Sequence, residues 1–557
     1  MKKNWHSIFL LLPFWCLLFS LTIEARRIPR LAVIFVFDQF SYDYIPKLSR
    51  HMRGGLRFLL HNGIVYENAY MPHALPTTAP GHTTLNTGTF PKDHGIVANK
   101  FRYSDGRIVC ADDAPVKTSA VLAPNGGVYN YGKGPHNIMV DGISDQMALA
   151  TQPCKKRTAI SLSFKSRAAI GTAGHAGKAI WFDQASGQFT SSKAYFDTLP
   201  NWLVCFNRHI GLDQPYVWHK AWPKNRCAYQ FKHINNYDYA CASPLVDTII
   251  TKTNGKNPYE TLLKTPRANQ VLLNLALTCI KAHMTRYGDE QLLLWVCLGN
   301  LDKIGHEYGP ESLEAIDLIY HLDKQLHTFM KCLQDCVPSR EIVYIFTADH
   351  GITPIPELVA QDGYTPARRI NPIDITDRIN AVIETKYKIK NLVKGIHAQN
   401  VYIDTAALES LKAQQQKMTI HDLKNLFLAE LGIKNVWTVH ELLHSCYELP
   451  SLESFYKNQL YPGRSGQIII QPFPYNLITA KECGTCHRTP YERDTHVPII
   501  IYQKGELGKQ IIDNKVWAPQ IPNTLAYIMQ IPKPSASTFK ILPGVIDREF
   551  RDEWAPL

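Results

Sequence analysis

The 557-residue chain contains no internal repeat, no long low-complexity run and no block of like charge. The first absence excludes a repeat array, and the other two exclude a disordered or strongly charged arm. Charged residues are sparse at 19% while hydrophobic ones reach 45%, the balance of a globular chain with a sizeable core. The length suits one large α/β domain with insertions, or two to three ordinary domains. A net charge of +12 is spread thinly, and no basic stripe points to nucleic acid. The diffuse cationic surface suits anionic substrates or an anionic membrane face.

Beyond the first 25 residues there is no apolar run that looks transmembrane. Those 25 read as an export signal. Lys2 and Lys3 precede "IFLLLPFWCLLFSLTI", an apolar stretch broken by Pro13, and "EARR" offers a cleavage point near Ala25. The stretch is shorter than the roughly 20 residues a span wants, although left uncleaved it would serve as an anchor. Cleavage removes two lysines and one glutamate, taking the charge from +12 to +11. Of 13 cysteines, Cys16 lies in this segment and an even number remains. In an exported protein that favours disulfides. Cys332 and Cys336 are neighbours, as are Cys483 and Cys486, but spacing leaves the connectivity open.

What is present is a set of β-rich runs that each stop at a polar residue. "LAVIFVFD" ends at Asp38, "LLLWVCLGNLD" near Asp302, and "IVYIFTADHG" at Asp349 and His350. Between them, Ile319, Leu322, Leu326, Phe329 and Leu333 recur at helical steps, which predicts an amphipathic helix. Alternating strands and helices predict a mostly parallel sheet with helices on both faces, and ligands beyond the carboxyl ends of its strands. Asp302 and His306 sit four apart, so one helical turn could bring both to one ion. His496, in "RDTHVPIII", precedes another buried-looking strand. Imidazole mixed with carboxylate suits zinc, and an open coordination position makes such a site catalytic.

Lys165 and Arg167, in "SFKSRAAI", would project from one face of an extended segment and clamp a dianionic phosphoryl group. Asn99, in "HGIVANKF", could donate its amide to a phosphate oxygen. "LPTTAPGHTTLNTG", residues 75–88, follows a strand-like segment and carries hydroxyls where nothing apolar is packed. Alone it reads as a turn.

Together with "VFDQF", "GKAIWFDQASGQFTSS", "LDKIGHEYGP" and "GTCHRTPYERDTHVPIII", these stretches resemble the alkaline phosphatase superfamily. Within it they resemble the calcium- and phosphate-irrepressible bacterial phosphatases of the PafA type, relatives of the nucleotide pyrophosphatase/phosphodiesterases. The resemblance runs from about residue 31 to about 530. It implies an exported, periplasmic or secreted hydrolase of small-molecule phosphate monoesters, with two zinc ions and a phosphothreonine intermediate. Thr78 takes the nucleophile's place, because its spacing to "PGH" matches the motif where that of Thr77 does not. Asp38, Asp349 and His350 resemble the ligands of one zinc, and Asp302, His306 and His496 those of the other. Asn99, Lys165 and Arg167 resemble the phosphoryl-binding groups, and the Lys-x-Arg pair belongs to the monoesterase branch. His82 and His94 would buttress the threonine loop, and His487 would lie near the site without being a ligand.

The same resemblance places Cys483 and Cys486 in a loop, bonded to each other, and so rejects the haem-attachment reading of "CGTCH". No nucleic acid and no obligate protein partner is expected. Segments 180–290 and 355–480, irregular and aromatic-rich, would cap the sheet edge, with a small strand-and-helix subdomain beginning near 394. Two alternatives stand beside the monoesterase: a phosphodiesterase or nucleotide pyrophosphatase of the same superfamily, and an inactive metal-dependent binding protein. The sulfatase branch of the fold needs a C-x-P-x-R type motif, which the chain lacks.

Overall fold

Leu31–Phe37 (β1) is apolar at every position and buried along its whole length, the composition of an interior strand covered on both faces. Eight further strands share its sheet: Ile64–Tyr66 (β2), Arg157–Ser163 (β3), Lys178–Asp183 (β4), Gln188–Thr190 (β5), Gln291–Leu298 (β6), Ile342–Thr347 (β7), Ile499–Gln503 (β8) and Gln510–Ile512 (β9). Their order is β5-β4-β3-β6-β1-β7-β8-β2-β9. The central run β4-β3-β6-β1-β7 is parallel throughout, whereas β8 runs antiparallel to β7 and β5 antiparallel to β4. The architecture is therefore an α/β fold on a mostly parallel sheet, as the strand-end pattern predicts. The structure is a computed structural model that describes residues 26–546 except 104–105, 153–154 and 255–256. The export segment, residues 1–25, lies outside the described residues.

Helices form a layer on each side. Thr78–Thr87 (α1) packs on Ser166–Ala173 (α2), which lies on β3 and β4. Pro266–His283 (α3) lies against β6 and packs on a long helix that follows Asn300–Tyr308 (α4). That long helix, Leu313–Leu333 (α5), buries Ile319, Leu322, Leu326, Phe329 and Leu333, the predicted apolar stripe. Among the described residues no helix is long and apolar enough to cross a membrane.

Of residues 180–290, the sheet and its helical layer take β4, β5 and α3. The irregular chain between β5 and α3 wraps over α5, where Asp317 accepts bonds from the Trp218 indole N–H and the Ala221 amide, both at 2.7 Å. Within 355–480, four strands form a separate antiparallel sheet: Val393–His397, Asn400–Ile403, Ile433–Thr438 and Ile468–Pro472. Ile375, Ile379, Ile383, Leu423 and Phe427, from two helices, close its own apolar core.

Candidate active site

The carboxyl ends of β1, β6 and β7 lie side by side, so Asp38, Asp302, Asp349 and His350 leave the sheet at one place. All four are buried. Because α4 starts directly after β6, Asp302 and His306 share one helical face, with His306 Nε2 3.2 Å from Asp302 Oδ1. Gln39, held at φ +72°, ties the cluster together. Its amide N–H donates to Asp349 Oδ1 at 3.2 Å, and its side-chain amide donates to Asp302 Oδ1 at 2.9 Å.

The threonine loop is a helix start rather than a plain turn. Thr77 is the extended residue before the helix and Thr78 its first helical residue. Thr78 Oγ1 lies 3.5 Å from Asp38 Oδ2 and 3.5 Å from Lys165 Nζ, whereas Thr77 Oγ1 is buried without a hydrogen-bond partner. The helix approaches the strand end so closely that a Cβ on Gly81 would meet the Asp349 carbonyl oxygen at 2.5 Å. His82 holds the turn from behind, its Nδ1 2.9 Å from the Thr78 carbonyl and 3.1 Å from Asp349 Oδ2. His94 touches the helix farther on, with Nε2 3.0 Å from Thr84 Oγ1.

Asn99 accepts the Ala79 N–H through Oδ1 at 2.8 Å, which leaves its amide N–H groups to donate. Lys165 reaches the centre, its Nζ 2.6 Å from Asp38 Oδ2 and 2.5 Å from Asp302 Oδ2. The pair with Arg167 is not an extended face. Lys165 is the extended residue before α2, and Arg167 is in its first turn. The Arg167 Nε is buried without a hydrogen-bond partner, and its charge acts on both Lys165 and Asp112.

His496 is the one expected ligand that the structure does not bring to the cluster. It lies between the rings of Tyr42 and Tyr70, at centroid distances of 4.5 and 4.6 Å. Its Nε2 is 2.7 Å from the Glu67 carbonyl, and its Nδ1 faces Glu492. The backbone there forms an antiparallel bridge to Tyr70. His487 stands where His496 was expected. Its ring stacks on His350 at 3.7 Å, its Nδ1 is 2.6 Å from the Pro76 carbonyl, and its Nε2 is 3.5 Å from Asp302 Oδ1. By residue type the two histidines are equivalent, and only the path of the loop separates them.

The expected Cys483–Cys486 bond is also corrected. Cys483 is bonded to Cys241, and Cys486 is a free thiol. Cys332 and Cys336, close in sequence, are both free as well. The Cys241–Cys483 bond ties the chain before α3 to the loop carrying His487. That loop lies on α4, with the Thr485 N–H donating to the His306 carbonyl at 3.0 Å.

The donor set suits a divalent ion. Asp38 Oδ1, Asp349 Oδ2 and His350 Nε2 are buried without a hydrogen-bond partner, yet His350 Nε2 is 3.5 Å from the first and 3.3 Å from the second. Three groupings at this centre hold their ligand atoms within 4.8 Å of one another: Asp38, His82 and Asp349; Asp302, His350 and His487; and His306, Cys486 and His487. Burial and the neighbouring Asp349 push the Asp38 carboxyl up to about 6, against the pull of Lys165. Burial lowers His306, but Asp302 prevails and raises it to about 10. Crowded carboxylates of this kind are relieved by a bound cation. Cys486, beside His306, is brought down to about 7 by Arg488 and His306, although burial works the other way.

Carboxylate and imidazole groups clustered at the strand ends, with a threonine hydroxyl and a lysine between them, define a class. The chain is a phosphoester hydrolase of the alkaline phosphatase superfamily. Within it the chain belongs to the type I phosphodiesterase / nucleotide pyrophosphatase family, whose sequence model matches residues 32–496. It is 27% identical over 539 residues to the alkaline phosphatase PhoV of Synechococcus elongatus, covering 93% of each chain. To the alkaline phosphatase PafA of Elizabethkingia meningoseptica it is 27% identical over 539 residues, covering 93% of this chain and 95% of that one. The crystal structure of wild-type PafA matches with a TM-score of 0.82 at 25% identity, covering 94% of this chain and 100% of the other.

Proposed function

We propose that the protein is an exported, zinc-dependent phosphomonoesterase that works through a phosphothreonine at Thr78. The observation that carries the reading is Lys165 Nζ, 3.5 Å from Thr78 Oγ1, with Arg167 two residues on in the same helix start. A monoester presents a dianionic phosphoryl group, which rewards paired cations more than a monoanionic diester does.

One zinc would be held by Asp38, Asp349 and His350, and the other by Asp302, His306 and His487. When bound, such ions lower the pKa of a hydroxyl and neutralise a departing oxygen. The chain's own groups do the rest. Lys165, Arg167 and the Asn99 amide hold the phosphoryl oxygens. Thr78 Oγ1, its proton released to solvent, forms a bond to phosphorus as the ester P–O bond breaks and its electron pair leaves with the alcohol oxygen, which takes up a proton from solvent. Water then breaks the phosphothreonine bond, releasing inorganic phosphate and restoring the Thr78 hydroxyl. The small-molecule ester would enter beneath caps formed from segments 180–290 and 355–480. The apolar leader and the Cys241–Cys483 disulfide support export to an oxidising compartment.

The test is the ratio of kcat/KM for an aryl phosphate monoester to that for the matching diester, with the zinc-loaded mature protein. We expect a ratio well above one. A ratio below one would make the protein a phosphodiesterase. Zinc bound with turnover of neither ester would make it a binding protein.

A further inference from the structure

A cavity of about 320 Å³ opens from the Asp302 and His306 side of the site, and Thr78 does not line it. In-line displacement at phosphorus sends the leaving group away from the nucleophile, so a space on this side would receive that group. Its cationic lining is uneven. Lys303 is committed to Glu260 at 2.7 Å. Arg369 makes a two-pronged bond to Glu357, at 2.7 and 2.9 Å, and also donates to the Gly484 carbonyl. Glu307, another wall residue, pairs with Lys264. Lys481 is exposed. That leaves Arg488, half-buried, whose guanidinium makes no hydrogen bond or ion pair among the described residues and whose charge acts on Cys486 and His397.

The backbone of Arg488 is unusual for its residue type. It sits at φ +105°, where an L side chain is strained and glycine is at ease. Holding a non-glycine residue there is costly, and such outliers cluster at ligand clamps. The strain is held in place from several directions. Gln399 donates to the Arg488 carbonyl, Thr489 donates to Asp494 through its amide and hydroxyl, and the Cys241–Cys483 bond anchors the loop upstream. The next residue back is His487, whose Nε2 faces Asp302. A guanidinium with no hydrogen bond or ion pair among the described residues is thus carried on a braced backbone, one residue from His487, at the wall of this cavity.

We propose that Arg488 is a specificity-determining residue that binds a second oxyanion, a carboxylate or a further phosphate, carried by the leaving group of the ester. This rests on the phosphomonoesterase reading and narrows its substrate class. Arginine recognises planar or tetrahedral oxyanions through paired N–H donors, and a charge-assisted bond in a half-buried site discriminates strongly. The preferred ester is therefore one whose alcohol is itself an acid.

The test compares phenyl phosphate with 4-carboxyphenyl phosphate and 4-phosphonophenyl phosphate, in the zinc-loaded wild type and in Arg488→Gly and Arg488→Lys. The expected result is a kcat/KM for the wild type about 10- to 100-fold higher on an ester with the second oxyanion, following the usual strength of a charged hydrogen bond. Which of the two acids gains more identifies the oxyanion. Arg488→Gly, which suits φ +105°, brings the ratio to about one, and Arg488→Lys keeps part of it. Calorimetry with phenylphosphonate and 4-carboxyphenylphosphonate repeats the comparison without turnover. A wild-type ratio at or below one, or a preference unchanged in Arg488→Gly, overturns the proposal. Failure to hydrolyse phenyl phosphate counts against the monoesterase reading alone, because the phosphonate affinities still decide the role of Arg488.

Discussion

His487 and His496 share one loop and one chemistry, but they meet different neighbours. The first stacks on His350 and faces Asp302, while the second is enclosed by Tyr42, Tyr70 and the Glu67 carbonyl. Replacing each with alanine should therefore fail in different ways. His487→Ala is expected to lose about one equivalent of zinc and to lower kcat/KM by at least about a hundredfold, since ligand and orienting groups of a metal site carry effects of that order. His496→Ala is expected to keep its zinc but to lose about 1–3 kcal/mol of stability, because a stacked ring and a bonded carbonyl are left unmatched. Zinc content by atomic absorption and thermal melts of the two proteins decide the matter. Equal zinc loss in both variants would return His496 to the ligand set. At this scale the sequence was legible for residues tied to strand ends, such as Asp38, Asp302 and Asp349. It was not legible for His487, where nothing in the one-dimensional spacing marks which imidazole faces inward.

The element that matters most for the site is the short loop from Cys483 to Arg488. It is held against α4 at Gly484, whose φ of +66° is a left-handed conformation and whose added Cβ would sit 2.1 Å from the His306 carbonyl oxygen. The Gly484 N–H also donates to the Tyr239 carbonyl at 2.7 Å. Gly484→Ala thus meets both a backbone penalty and a steric one. It is expected to destabilise the protein by about 1–3 kcal/mol and to shift His306 and His487 together, so kcat falls along with Tm. Melting curves and zinc-loaded kinetics on the same preparation check this. Unchanged kcat with a lowered Tm would separate the loop's structural role from its catalytic one. The Lys165–Arg167 pair shows the same limit of local reading. An extended segment would put both on one face, but the helix starts between them, and only Lys165 contacts the central carboxylates.

For the whole molecule, the carboxylate cluster makes folding and metal binding a linked equilibrium. Among the groups that would hold the ions, Asp38 is shifted up to about 6 and His306 up to about 10, whereas Asp302, Asp349 and His487 are shifted downward. Asp38 and His306 therefore hold their protons to higher pH than usual, and a metal must displace those protons. Zinc affinity is expected to rise with pH, most steeply for Asp38 as the pH climbs through about 6, and to weaken below it. Dialysis at pH 5 and pH 8 followed by zinc analysis reads the sign directly. A metal bound at about a hundred times its Kd adds about 2.7 kcal/mol of stability, so chelation at pH 8 should lower Tm. A Tm that is insensitive to both zinc and chelator would contradict the linkage.

The sequence by itself determined the α/β class, the helix of residues 313–333 and the strand ends that carry the clustered carboxylates. It could do so because burial on both faces writes unbroken apolar runs, and a parallel sheet sends every strand end to the same side. Thr78 was marked only by the resemblance, through its spacing to "PGH", since the local residues alone read as a turn. Only the tertiary structure decided between His487 and His496, paired Cys483 with Cys241, and set Arg488 at the cavity wall. Those outcomes depend on how a loop crosses distant elements, and contacts between residues remote in the chain leave no period or spacing for the sequence to display.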